Sequence, residues 1–180
     1  MSGYRGGKVD LILQRMMDFF LGIPVLLMGL IVMVALGPAL INVALTIGIV
    51  YAPRVNRLSR STAIAIKQSP YIEASKTMGH GSLFIIFKHV LPNSLPTWLV
   101  YATALLGGGF LVESGLSFLG VGVPPPYPSW GRDLSTSMHY FGSSPGLAIF
   151  PGLGISAVVF GANLFGDALR DVLDPRLKIV

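Results

Sequence analysis

The chain has 180 residues and no cysteine, which excludes a disulfide framework, thiol catalysis and thiolate metal sites. Charge is also scarce. Asp, Glu, Lys and Arg make up 12% of the residues, against about 25% in a typical soluble domain. That is too little to cover a globular surface, and the shortage is uneven. None of these four residues occurs between Asp18 and Arg54, between Lys88 and Glu113, or between Asp133 and Asp167. No G-x-x-x-x-G-K-[ST] phosphate loop is present, which excludes ATP binding by that route. The opening MSGYRGGKVD is polar and Gly-rich, without the basic start and apolar core of a secretory signal. The first span is therefore expected to act as its own insertion signal, unless a part upstream is missing.

Apolar residues fill the uncharged stretches. They make up 52% of the chain, and a bilayer core of about 30 Å needs roughly 20 of them per helix. Four spans are expected, at about 19–36, 39–58, 95–112 and 146–166. Gly37-Pro38 ends the first, because proline removes a helix hydrogen bond and clashes with the preceding turn. The second carries Arg54 and Arg57 at its end, long enough to reach the headgroups. Gly107-Gly108-Gly109 in the third allows close helix packing or a kink. Pro151, Gly152 and Gly154 lie near the start of the fourth.

The basic residues give an orientation. Arg5, Lys8 and Arg15 precede the first span, and Arg54, Arg57, Arg60, Lys67, Lys76 and Lys88 lie between the second and third. Arg170, Arg176 and Lys178 follow the fourth, and only Arg132 sits in the loop between the third and fourth. Both termini and the 54–96 segment are thus expected in the cytoplasm. The net charge of +5 is accounted for as a topology signal and calls for no nucleic-acid partner.

The 54–96 segment is more than a connector. Ser69 suits an N-cap and Pro70 the first helical position, so a helix is expected over Tyr71–Met78, ended by Gly79 or Gly81. Ser82 suits a second cap, for a helix over Leu83–Val90 that stops at Leu91-Pro92. Tyr71, Ile72, Met78, Phe84 and Phe87 would then face the cytoplasm as an apolar patch, the usual mark of a protein contact.

The stretch YIEASKTMGHGSLFIIFKHVLPN resembles the EAA loop of bacterial ABC importer permeases, with Glu73, Ala74, Ser75, Gly79, Leu91 and Pro92 at the matching spacing. Ser75 replaces the second alanine of the pattern. His89 stands where the general pattern has isoleucine, and KHVLPN is similar to the dipeptide, oligopeptide and nickel branch. The likeness runs from GYRGGKVD to GDALRDVLDPRL and includes ESGLSFLGVGVPPPYPSWG. It implies an all-α polytopic bundle of the type I importer kind, with its transmembrane domain over residues 1–167, a cytoplasmic coupling loop over 59–94 and a cytoplasmic tail over 168–180. It also implies a bacterial inner-membrane location and four kinds of partner contact. These are a second permease subunit, two ATP-binding subunits, an extracytoplasmic substrate-binding protein and membrane lipid. ATP is used by the partner, and no cofactor is bound by this chain. Glu73, Ala74, Ser75, Gly79, His89, Leu91 and Pro92 would make the ATPase contact, Glu73 favoured by its place near a helix N-terminus. Members of this branch usually have two more spans before the GYRGG-like segment, so a truncated, non-transporting remnant is the alternative expectation.

Other residues have a functional and a structural reading. Glu113, near the end of the third span, is either a pathway residue or a structural hydrogen-bond partner. Asp18 is expected to pair with Arg15 at the interface. His80, His89 and His139 have no metal-ligand spacing. Gly115-Leu116-Ser117 evokes an intramembrane hydrolase, but Leu119 stands where the motif needs glycine. The stiff 124–130 segment, PPPYPSW, is either a connector with an interfacial Trp130 or a contact for the binding protein.

Overall fold

The computed structural model describes residues 2–173. Its elements are all helical: α1 (Ser2–Arg5), α2 (Lys8–Leu21), α3 (Val25–Leu36), α4 (Leu40–Lys67), α5 (Pro70–Thr77), α6 (Ser82–Ile85), a π turn (Ile86–Val90), α7 (Leu91–Phe118), α8 (Trp130–Ser137), a 3-10 turn (Met138–Tyr140) and α9 (Gly146–Leu173). The all-α polytopic bundle expected from the sequence is what forms. The expected tail at 168–180 is helical through Leu173, and its remainder, with Arg176 and Lys178, lies outside the described residues.

The span limits need correction. Ser82–Phe118 and Gly146–Val172 are each long and apolar enough to cross a membrane, while the pair Lys8–Leu21 and Val25–Leu36 is bent by 99° at its break. By length and composition the described residues hold two spans, or three with the bent pair. The 19–36 stretch is therefore not one helix. Pro24, with φ −54° and ψ 134°, is the extended cap of α3, and a residue before proline is pushed out of the helical region. The chain leaves α2 at Gly22 and re-enters helix at Val25. The expected end near Leu58 is also absent, because nothing between Leu58 and Lys67 breaks a helix and α4 runs on. Its 28 residues extend about 42 Å, but Arg54, Asn56 and Arg57 end its apolar part near Ala52.

Gly37 does terminate α3, with φ +82°, and its N–H bonds to Met33 O at 2.8 Å. Asn42 Nδ2 donates to Leu36 O (2.8 Å) and Gly37 O (3.0 Å), pinning α4 to the last carbonyls of α3. The core between α3, α4 and α7 contains Met33, Val43, Tyr51, Val112 and Leu116. The glycine triplet allows close packing on two sides. A Cβ on Gly107 would meet Asn163 Oδ1 and Val159 O of α9, and one on Gly109 would meet Ile47 of α4. One on Gly108 would lie 2.6 Å from the Tyr51 hydroxyl.

Candidate functional site: the 70–92 peg and the helix behind it

α5 begins as its residues require. Ser69 is extended at the N-cap and Pro70 occupies the first turn, where its missing N–H costs nothing. Gly79 then closes the helix with φ +82°. His80 N–H bonds to Ser75 O (3.2 Å) and Gly79 N–H to Lys76 O (2.9 Å). These two bonds define a Schellman C-cap, which needs a left-handed residue at the Gly79 position. The Ser75 hydroxyl and His80 Nδ1 lie 3.1 Å apart in hydrogen-bond contact, so the turn is held from both sides.

The second helix differs from the sequence expectation. Its first residue is Ser82, with Gly81 as the cap, and it does not stop at Leu91-Pro92. Residues Ser82–Phe118 form one continuous helix of 37 residues. Pro92 has no N–H to give, yet the helix passes it through the Ile86–Val90 π turn, where Leu91 N–H bonds to Ile86 O. Asn93 Nδ2 donates to His89 O (2.6 Å) and Ser94 Oγ to Val90 O (2.7 Å), so side chains supply donors beside the proline. Such a local widening is a recognised way to accommodate a disruption in a helix.

The peg has an inner and an outer face. Ile72, expected on the exposed patch, is instead fully buried with Tyr4, Ile85, Ile86 and Val90, against Ala63 and Ile66 of α4. Its neighbours Tyr71, Met78, Leu83, Phe84 and Phe87 are exposed. Glu73 and Ala74 are exposed, whereas Ser75 is buried. His80 stacks on Phe84 (4.3 Å between ring centres), while His89 lies 5.9 Å from Tyr71 and 6.1 Å from Phe84. This ring cluster ties α5 to the following helix. Leu91 and Pro92 are exposed beside it.

Three contacts were missed in the sequence. Tyr4 is buried at the centre of the peg's inner core, and Lys67 Nζ donates to its carbonyl at 2.8 Å. Asp18 pairs with Arg57 of α4 at 2.9 Å, not with Arg15. Asp10, 4% exposed, accepts two-pronged donation from Arg60, with Nε–Oδ2 at 2.9 Å and Nη2–Oδ2 at 2.8 Å. That hydrogen bonding raises the guanidinium pKa above its ordinary value, so the arginine stays charged. An apolar residue at position 4 and acids at 10 and 18 were the available signals, but their partners are some 40 to 60 residues away.

At the opposite end, Glu113 collects serine hydroxyls. Ser117 Oγ donates to its Oε1 at 2.6 Å and Ser129 Oγ at 3.0 Å. Ser117 also accepts from Val123 N–H at 3.1 Å. The Ser117 proton is thus committed to a carboxylate, and the residue is buried. Arg132, the lone basic residue of this loop, donates to Val123 O (2.6 Å) and Tyr127 O (2.8 Å). Trp130 is partly exposed and packs edge-on to Phe110, its ring also covering Gly154 of α9. Glu113 and Trp130 therefore bind the 121–130 loop to the tops of α7 and α9. They are not brought near Glu73 or Gly79.

A family profile described as "Binding-protein-dependent transport system inner membrane component" matches residues 1–179. The chain belongs to this family. The dipeptide transport system permease protein of Alkalihalophilus pseudofirmus is 41% identical over 177 residues, which is 98% of this chain and 58% of that protein. The probable D,D-dipeptide transport system permease protein of Escherichia coli is 39% identical over 98% of this chain and 59% of its own length. The glutathione transport system permease protein of Pectobacterium atrosepticum is 36% identical over 99% and 59%. These names concern peptides and glutathione and not nickel. The chain spans under two thirds of the length of these relatives. The family's description is that of an inner-membrane component of a transport system that depends on a binding protein.

Proposed function

We propose that the chain forms part of the permease of an ATP-driven peptide importer, and that the 70–92 peg couples it to a separate ATP-binding subunit. The second permease subunit, the two ATP-binding subunits and the extracytoplasmic binding protein belong to this proposal, as does a cytoplasmic position for both termini. So does the expectation that this chain binds no cofactor and that ATP acts only on the partner.

One observation carries the reading. The outer face of the peg is exposed and apolar, while its inner face is locked into Tyr4 and α4, and its second helix is the end of α7 itself. A partner that grips Tyr71, Met78, Phe84 and Phe87 would move a rod of about 55 Å whose far end holds Glu113 and the outer loop. Glu73, exposed in the first turn of α5, offers a charge to a basic residue of that partner. In the most apolar stretch of α9 only 6% of residues are buried within the chain, which leaves that helix a broad face for lipid and other subunits.

The test is co-expression of a tagged chain with the ATP-binding, second permease and binding-protein components, followed by purification and a peptide-stimulated ATPase assay. A stable complex with stimulated hydrolysis is expected. A chain that inserts in the membrane but recovers no ATP-binding subunit would overturn the reading in favour of a remnant that assembles with nothing. The hydrolase reading has little support from the geometry, since Ser117 is hydrogen-bonded to Glu113 and enclosed by the 121–123 turn.

A further inference from the structure

α2 has its polarity reversed relative to a helix of a soluble protein. Its polar side, Asp10, Gln14 and Asp18, recurs every four residues and faces α4, where Arg60, Asn56 and Arg57 receive it. The opposite side carries Val9, Ile12, Met16 and Phe19 at helical spacing, all exposed, with Phe19 at 70%. Lys8 and Arg15 lie along the edge between the two sides and are exposed. No other described element covers the apolar side.

Depth along α4 indicates what does. From Leu40 at its outer end, the apolar part of α4 ends near Ala52, about 18 Å down the axis, and Arg54, Arg57 and Arg60 follow at about 21, 26 and 30 Å, so the helix turns polar as it nears the far side of a hydrocarbon core about 30 Å thick. The polar pairs to α2 therefore sit at the level where lipid headgroups begin. α2 meets α3 at 99°, so it runs along that level and does not cross it. Leu27, Ile31 and Val34 of α3 are exposed as well, as a lipid-facing surface would be. An apolar stripe edged by basic residues is the pattern of a helix lying in a membrane interface.

We propose that α2 is an in-plane helix of the membrane surface on the side of the 70–92 peg. Val9, Ile12, Met16 and Phe19 enter the acyl boundary, and Lys8 and Arg15 take the phosphates of anionic lipids. The polar contacts to α4 then fix where the peg sits relative to the bilayer. This rests on the membrane placement of α3 and α4, not on the transport reading, so either can fail without the other.

The absence of cysteine makes the test clean. Single variants Ile12→Cys, Met16→Cys and, as control, Ser61→Cys are spin-labelled in the otherwise unaltered chain. Each is reconstituted in phosphatidylcholine vesicles with and without phosphatidylglycerol. Labels at positions 12 and 16 are expected to collide with oxygen several-fold more, relative to a water-soluble nickel chelate, than the label at 61. Phosphatidylglycerol should increase the difference, and the double variant Lys8→Gln, Arg15→Gln should remove that increase, by up to about fivefold per basic residue. Equal access of the chelate to all three positions would overturn the proposal. Spin–spin broadening between copies at 12 and 16 would also overturn it, in favour of a second copy on this face. A lipid effect that survives the double variant would overturn the headgroup assignment.

Discussion

Replacing Gly79 isolates the turn from the rest of the molecule. A Cβ added there would meet nothing within 4 Å, and the residue sits at φ +82°. The penalty for an L-residue is therefore backbone strain alone, about 1–2 kcal/mol. If the turn relaxes instead, the bonds His80 N–Ser75 O and Gly79 N–Lys76 O are lost, at about 1 kcal/mol each. Both routes give a ceiling of about 2 kcal/mol, or about a thirtyfold shift in the population of the capped turn. Such a shift is too local to disturb insertion, since the peg's buried side chains lie elsewhere. Asparagine tolerates the left-handed region better than other side chains. The series Gly79→Asn, Gly79→Ala, Gly79→Val should thus lower peptide-stimulated ATPase activity of the assembled complex in that order, with membrane levels unchanged. Full activity in Gly79→Val would refute the reasoning. Equal loss in all three would show that the partner rejects any side chain, and that the turn's conformation is not what matters.

Further changes probe the supports. Tyr4→Ala opens a cavity beneath Ile72 and Ile86 and should cost about 3 kcal/mol, read as faster amide exchange over residues 70–90 with α9 unaffected. Glu113→Ala leaves the buried Ser117 and Ser129 hydroxyls without their acceptor, at about 1–3 kcal/mol. Protease cutting within 121–130 should rise, and Glu113→Gln should preserve more of the protection. Asp10→Asn should destabilise the α2–α4 contact more than Asp18→Asn, because Asp10 is buried and Asp18 is half-exposed. Thermal unfolding of the two variants in detergent checks that order.

The first helix of the peg was legible because its signals are local: Ser69-Pro70 at the start and Gly79 at the end act within one turn. The second was misjudged at Pro92 because proline is read as a stop, whereas the π turn and the Asn93 and Ser94 side chains let the helix continue. The break at Pro24 had a signal of the same kind, but the surrounding apolar run hid it. Ile72 is grouped with the exposed residues only because it is apolar and lies outside the expected spans, and the distant Tyr4 and α4 bury it. The ion pairs of Asp10 and Asp18 were beyond reach for the same reason: a sequence shows charges, and the fold decides which of them meet. The third and fourth apolar stretches, by contrast, lie within helices long and apolar enough to span, because length and apolarity need no partner to be recognised.

Site-directed cross-linking across the peg tests the central claim most directly. Cysteines placed singly at Met78, Phe84 and Phe87 on its outer face, and at Ile72 and Ser75 on its inner face, are introduced into the complex with the ATP-binding subunit. A short bifunctional reagent should join the outer positions to that subunit and leave the inner ones unjoined, with yields that change on ATP addition. Cross-links absent from the outer face, or equally strong from both faces, would contradict the assignment of the peg as the coupling surface.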